Sequence, residues 1–378
     1  MKILQIVADG TPGGGTNHVM QLLTSIGSDH SCTLMCQKDS YLAEQASNAG
    51  IDVFGADFFR GRTDPKAVRA VANTIDEVRP DLVHCHGGRA AFFRSLRRCP
   101  VPSVYTVHGF HHNRKPFVPR TLGKLAEKWT IQRFDRVLFV AQYDHQLAVE
   151  QRLMPNEQSY RVIHNGILPL KPMSPKKRIG VGFVGRFVFQ KNPQLFVEVA
   201  KHLPQVEFVM VGGGELEPEV KAMISDLGLS DRVKLLGSLD HASTLEVIGK
   251  LDVLLMTPRW EGLPLLPLEA MFMKVPVVST SVGGIPEVIT HNETGLLAGY
   301  EDAQELGHHV SNLLQDSNLR NRLVEQAYQK AHQQFSQDTM LEKIRQTYWD
   351  LTSTNKINST TLEIAGPLVE SFSGSADF

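Results

Sequence analysis

Residues 261–269 read Glu-Gly-Leu-Pro-Leu-Leu-Pro-Leu-Glu, two carboxylates separated by one glycine, two prolines and four leucines. A single helix cannot run through this stretch, because Pro264 would break it. Pro267 instead fits a first helical turn, where its missing N–H costs nothing. The pattern therefore predicts a helix over 267–274, with Glu269 in its first turn and Glu261 on the irregular loop before it. Free amides of the loop and of the helix start form an anion site, with one carboxylate on each side to accept hydrogen bonds from hydroxyls. Such an arrangement suits a ligand built as sugar, phosphate and sugar, which describes a nucleotide-sugar. Two glutamates eight positions apart are common in any chain, so the case rests on their surroundings.

Three other constellations bear on it. Gly13, Gly14 and Gly15 follow an apolar run and precede a helical pattern, a place where backbone can approach a phosphate or sugar closely. Their spacing is not that of the dinucleotide fingerprint, and a tight turn without a ligand is the plain alternative. Arg186 and Lys191 flank a turn between a strand and a helix that Pro193 opens. Two cations there can hold a diphosphate leaving group. Five histidines, His84, His86, His108, His111 and His112, gather near two strand ends. A metal site is not expected from them, since His84 and His86 are read as pointing to opposite strand faces and no carboxylate motif accompanies them. His108, followed by Gly109, is read as a hydrogen-bonding group for substrate.

Behind these residues lies an alternating order of strands and helices. Strands are expected at 3–8, 33–37, 52–54, 82–84, 103–107 and 136–140, with helices at 17–26, 67–78 and 121–134. A Pro- and Lys-rich stretch from 168 reads as a linker. A second series follows, with strands at 179–184, 207–211, 233–236, 253–256 and 275–279. This order implies two mainly parallel, doubly wound sheets in tandem, each binding ligands beyond the carboxyl ends of its strands. The chain divides as 1–167, 168–337, a last amphipathic helix over 338–351, and a polar, loosely ordered tail over 352–378.

The formal net charge of -1 argues against general nucleic-acid binding. Residues 1–168 hold 20 Lys and Arg against 15 Asp and Glu, while 169–378 hold 19 against 25. The basic half carries Arg89, Arg94, Arg97 and Arg98 in one set, and Arg114, Lys115, Arg120, Lys124 and Lys128 in another. These sets suit anionic lipid headgroups or a lipid-diphosphate acceptor, or are simply solvated helix faces. Cys32, Cys36, Cys85 and Cys99 show no metal or redox spacing and are expected as free thiols in a cytoplasmic setting. The N-terminal apolar run is too short for a signal peptide and reads as a buried strand.

Taken together, the chain resembles the family-4 retaining glycosyltransferases with the GT-B fold, two Rossmann-like domains facing across a cleft. The likeness runs from about residue 1 to 351. Its marks are GRFVFQKN from Gly185, EGLPLLPLEAM from Glu261, GGIPEV from Gly283 and HNGI from His164. The resemblance implies that Arg186 and Lys191 neutralise the donor diphosphate and that Glu269 binds the ribose hydroxyls. Glu261 would contact the transferred sugar near its 3- and 4-hydroxyls, and His108 its 6-hydroxyl. Amides of Gly262, Leu263, Leu265 and Leu266 would support phosphate and sugar, with Gly13–Gly15 facing the diphosphate. Asn165 and Gly166 would lie by the hinge, and the last helix would cross back to the N-terminal domain. Two positions depart from the family pattern: Thr16 stands where an acidic residue is usual, and Asn192 where glycine usually follows the lysine.

The implied activity is transfer of a sugar from a nucleotide-diphosphate sugar, UDP-linked before GDP- or ADP-linked. Transfer proceeds with retention and without a metal or other cofactor. The acceptor is a glycan or lipid-linked hydroxyl in polysaccharide or lipid-linked glycan synthesis, with peripheral contact to the inner face of the cytoplasmic membrane. Two rivals remain: a GT-B nucleotide-sugar epimerase that hydrolyses its substrate, and a non-catalytic nucleotide-sugar-binding subunit.

Overall fold

The computed structural model describes residues 1–27, 30–61, 63–97, 99–110, 117–154, 160–173, 175 and 177–364, the side chains of 117–120 and 354–364 excepted. His111, His112, Arg114, Lys115, Arg98 and the side chain of Arg120 lie outside the described residues.

In the N-terminal half the strands are β1 (Lys2–Val7), β2 (Ser31–Cys36), β3 (Asp52–Gly55), β4 (Leu82–His86), β5 (Ser103–Val107), β6 (Arg136–Phe139) and β7 (Tyr160–Val162). Between them run α1 (Gly14–Ile26), α2 (Tyr41–Asn48), α3 (Pro65–Val78), α4 (Gly88–Ser95), α5 (Phe117–Ile131) and α6 (Gln142–Glu150). The second half has β8 (Val181–Val184), β9 (Phe208–Val211), β10 (Val233–Gly237), β11 (Val253–Met256), β12 (Val277–Thr280) and β13 (Leu296–Ala298). Its helices are α7 (Pro193–His202), α8 (Glu217–Asp226), α9 (His241–Lys250), α10 (Leu266–Phe272), α11 (Ile285–Val288), α12 (Ala303–Gln315) and α13 (Ser317–Gln334). A last helix, α14 (Gln337–Ile364), follows.

Local chemistry accounts for several boundaries. Asp64 caps α3 by accepting from Lys66 N, and Pro65 occupies the first turn. Asp240 does the same for α9 through Ser243 N. Asn192 stands before α7 at φ +50°, in the left-handed region that asparagine tolerates better than most side chains. That is why asparagine can replace the family's usual glycine at this point.

The sheets run in the orders β3-β2-β1-β4-β5-β6-β7 and β10-β9-β8-β11-β12-β13. Every registered pair is parallel. This is the GT-B architecture of two Rossmann-like units. Strand order reverses between β1 and β4 in one sheet and between β8 and β11 in the other, the positions where such sheets open a crevice for ligands. Helices cover both faces of each sheet, so the strands are buried on both sides and read as unbroken apolar runs such as Val253–Met256.

Two connections join the halves. Ile167 N donates to Phe335 O at 3.0 Å and Gln337 N donates to Ile167 O at 2.8 Å, so both crossings of the chain lie side by side. A β-carbon at Gly166 would sit 2.3 Å from Ser336 O, which requires glycine at this crossing. From there α14 packs Met340, Leu341, Ile344 and Tyr348 into the core formed by Ile3, Val19 and Leu138. The expected end of this helix at 351 gives way to Ile364. A helix already nucleated by a packed segment propagates cheaply. Residues 365–378 lie outside the described part. Cys32, Cys36, Cys85 and Cys99 are free thiols, as expected, and burial pushes Cys85 up to about 12.

Candidate active site

The site grows from the two switch points. Beyond β8 the chain turns through Gly185 and Arg186 to Lys191; beyond β11 it runs from Thr257 to Glu261. Hydrogen bonds stitch the two turns together. Thr257 Oγ1 donates to Asn192 O at 2.9 Å, Arg259 N to Gln190 O at 2.8 Å, and Gln190 Nε2 to Trp260 O at 3.1 Å. The result places Lys191 Nζ 2.5 Å from Glu261 Oε1. The other oxygen, Oε2, accepts from Gln190 Nε2 at 3.4 Å. Arg186 is exposed beside this pair in the chain, with its guanidinium unpaired among the described residues.

Glu261 is fixed from behind by the glycines of GGIPEV. Gly283 has φ +58°, and a β-carbon there would lie 1.9 Å from Glu261 O; one at Gly284 would lie 2.1 Å from Gly262 O. Only bare backbone fits so close to the loop. Helix α10 starts at Leu266, one residue earlier than expected, and carries Glu269 in its first turn. Burial raises the Glu269 carboxyl to about 7, and His241 Nε2 stands 3.9 Å from its Oε1.

The N-terminal half closes the other side. Gly13 caps α1 with no side-chain hydrogen bond, so its first amides are left for a ligand or water. A β-carbon at Gly14 would meet Leu265 at 3.8 Å, and one at Gly262 would meet His108 O at 3.4 Å. The glycine turn, His108 and the 261–269 loop thus converge on one cleft. Thr16 turns inward, its Oγ1 donating to Thr11 O at 2.5 Å. Asn165 Nδ2 donates to Leu263 O at 3.1 Å and ties the hinge to the same loop.

Two expectations need correction. His84 and His86 do not point to opposite faces. Residues two apart in a strand share a face, and their ring centroids are 4.0 Å apart. The reason given against a metal site therefore falls: among the described residues, His18, His86 and His108 bring ring nitrogens within 4.8 Å of one another. In the basic set 89–98, Arg94 is not part of a free surface, whereas Arg89 and Arg97 are exposed and Arg98 lies outside the described residues. Arg94 is buried and donates to Arg133 O at 2.7 Å, and Arg89 Nη1 donates to Phe58 O at 3.0 Å.

Sequence reasoning passed over His18, Gln5, Glu287 and Tyr348. The period-2 rule would have put His84 and His86 on one face, but nothing local brings His18 to them. Glu287 lies in the GGIPEV mark, but nothing local signals its partners: its carboxylate accepts from Gln142 N, Tyr143 N and His164 Nε2 at 2.7, 2.8 and 2.9 Å.

Fold and site define a GT-B glycosyltransferase. Two family profiles divide the chain between them: Glycosyltransferase Family 4 over residues 12–169 and Glycosyl transferases group 1 over 170–330. The chain belongs to this glycosyltransferase family. Alpha-D-kanosaminyltransferase of Streptomyces kanamyceticus is 26% identical over 270 residues, 65% of this chain and 70% of that protein. The UDP-Gal:alpha-D-GlcNAc-diphosphoundecaprenol alpha-1,3-galactosyltransferase of Escherichia coli is 26% identical over 315 residues, 76% of this chain and 80% of that one. Anabaena HepE, solved in complex with UDP-glucose, superposes with a TM-score of 0.82 at 22% identity, covering 93% of this chain and all of that one, a likeness of fold. Among the described residues no helix is long and apolar enough to cross a membrane.

Proposed function

We propose that the protein transfers a hexose from a UDP-sugar to a hydroxyl of a glycan or lipid-linked acceptor, with retention and without a metal. The observation that carries this reading is the Lys191–Glu261 pair at 2.5 Å beside an unpaired Arg186. Two cations stand ready for a diphosphate, and a carboxylate stands ready for the sugar's hydroxyls. UDP is favoured because HepE binds UDP-glucose and the Escherichia coli relative uses UDP-Gal.

In this reading Glu269 takes the ribose hydroxyls and His108 the sugar's 6-hydroxyl. The bond from C1 to the β-phosphate oxygen breaks, and Arg186, Lys191 and the amides of Gly262, Leu263, Leu265 and Leu266 stabilise the departing charge. The acceptor oxygen then bonds to C1 on the face that the diphosphate leaves, and its proton passes to the β-phosphate. No protein carboxylate has to act as nucleophile. Amides of Gly13, Gly14 and Gly15 close the diphosphate from the opposite domain, excluding water.

An acceptor anchored in a membrane fits the exposed apolar surface of α5, where Leu122 is 56% and Leu125 60% exposed beside Lys124 and Lys128. Insertion of the leucines with lysines toward anionic headgroups would hold the cleft at the cytoplasmic leaflet.

The deciding experiment is nucleotide release from a panel of UDP-, GDP- and ADP-sugars in chelator without added acceptor. Slow release from one UDP-sugar is the expected result. Strict dependence on Mn²⁺ or Mg²⁺ would overturn the metal-free reading, binding without turnover would favour a non-catalytic subunit, and neither binding nor turnover across the panel would overturn the donor site.

A further inference from the structure

We propose that His18, His86 and His108 form a binding site for a divalent transition metal, zinc by preference, at the N-terminal switch point. Three elements bring them together. His86 ends β4 at the point where it pairs with Val7 of β1, His108 follows β5 directly, and His18 lies one turn into α1. Their ring nitrogens fall within 4.8 Å of one another. His108 Nε2 and His86 Nδ1 are already 3.4 Å apart, the separation that two ligands at roughly 2.0–2.1 Å from a tetrahedral zinc require. Small rotations of His18, whose ring centroid lies 5.2 Å from that of His108 and 5.6 Å from that of His86, complete the triad.

Two independent features point to a ligand. The first is His18 itself: it is 3% exposed, and neither of its ring nitrogens has a hydrogen-bond partner. Leaving a buried polar atom unsatisfied is costly, and a coordinated ion removes the cost. The second is a hydrogen-bond chain that sets the lone pairs. Gln5 Nε2 donates to Tyr348 Oη at 3.3 Å, and Tyr348 Oη is hydrogen-bonded to His84 Nδ1 at 2.6 Å. His84 Nε2 is in turn hydrogen-bonded to Thr106 Oγ1 at 2.7 Å. With its amide so oriented, Gln5 presents Oε1 to His86 Nε2 at 2.8 Å. His86 therefore carries its proton on Nε2 and turns the lone pair of Nδ1 toward His108. A ligating histidine that donates its other N–H to a carbonyl is the usual outer-shell arrangement of protein zinc sites. Burial lowers the basicity of His18 and His86, keeping both neutral and able to ligate.

The ion is no cofactor of transfer. His108 is also assigned to the donor sugar, so a bound zinc opposes transfer. That consequence rests on the proposed function, whereas binding itself does not.

The test uses the full-length chain, stripped with chelator and dialysed. It is titrated with ZnCl₂ by calorimetry and with Co²⁺ by visible absorption. One site with a tetrahedral Co²⁺ spectrum is expected. His18→Leu should weaken it at least tenfold, and Gln5→Leu about tenfold through the lost outer contact. Circular dichroism of each variant checks the fold, and the Gln5→Leu result stands if His18→Leu misfolds. Unchanged affinity in both folded variants, or loss of the site instead in His309→Ala, where His291 and His308 gather around His309, would overturn the proposal. Binding without zinc inhibition of sugar-nucleotide turnover would leave the site standing and overturn the assignment of His108 to the sugar.

Discussion

Lys191 Nζ lies 2.5 Å from Glu261 Oε1, and the neighbouring Gln190 holds the second carboxylate oxygen. In the proposed reading, the turn that would offer a cation to the diphosphate thus also orients the carboxylate that would meet the sugar. In the free protein the ammonium is already placed, and a donor diphosphate needs only to draw it part of the way from its partner. Lys191→Ala should lower kcat by about 10²–10³-fold, with a smaller change in KM. Steady-state kinetics on the UDP-sugar found by the release panel decides it. A kcat within twofold of wild type would show that the leaving group lies elsewhere.

Glu269 should make donor binding and stability depend on pH in opposite senses. Its carboxyl stands at about 7 in the folded chain against the ordinary 4.5. Below 4.5 it is protonated in both folded and unfolded states, and ionisation favours neither. From 4.5 to 7 only the unfolded chain ionises, so stability falls as pH rises through that window and stays reduced above it. Glu269→Gln removes the penalty and should stabilise the fold by up to about 3 kcal/mol at pH 8, with no gain at pH 4. Donor affinity should move the other way if, as proposed, an ionised Glu269 accepts from the ribose hydroxyls. In wild type it should weaken as pH falls below 7, and in the variant be weak and flat. Urea titrations and donor calorimetry at pH 5, 6, 7 and 8 provide both readouts; a pH-independent wild-type affinity would remove Glu269 from the ribose.

The contrast between Glu269 and Glu287 shows what the sequence makes legible. Glu269 is announced by its own neighbours, since Pro267 fixes a helix start and the helix start fixes the glutamate's place. Strand positions, Arg186 and Lys191 are legible for the same reason: their placement depends on a strand end and a turn. Glu287 acts through Gln142, Tyr143 and His164, more than 120 positions away, and no local pattern encodes that meeting. His18 is hidden likewise, because its neighbours come from β4 and the end of β5. The His84–His86 relationship was legible, and only the strand period had to be applied correctly.

Gly283→Ala should damage the site through backbone alone. The residue has φ +58°, costly for any L side chain, and the new methyl would lie 1.9 Å from Glu261 O. Glu261 or the 283–284 turn must move. Since misplacement by about 1 Å can cost 10²-fold in rate, turnover should drop by at least tenfold while the protein stays folded at 25 °C. Kinetics with circular dichroism tests this, and wild-type turnover would mean that Glu261 needs no such precise support.

Glu287 should act as a clamp between the halves of the molecule. Sitting on α11, it accepts from the first free amides of α6 and from His164 at the hinge, so one carboxylate joins three groups of the N-terminal half. Burial pushes its acid upward, but the hydrogen bonds from His164, Tyr143 and Gln142 outweigh burial and leave it below the ordinary carboxylate value. A depressed folded value means that the contribution is present above the unfolded value of 4.5 and is lost as pH falls through the folded one. Glu287→Ala should therefore cost about 1–3 kcal/mol at pH 7, leaving two amides of α6 uncapped. The difference from wild type should shrink as pH falls below 4.5. Urea titrations at pH 7 and pH 4, with hydrogen exchange at the Gln142 and Tyr143 amides, measure both parts. Faster exchange confined to those amides at pH 7 is the expected signature, and unchanged protection there would show that α6 does not depend on Glu287.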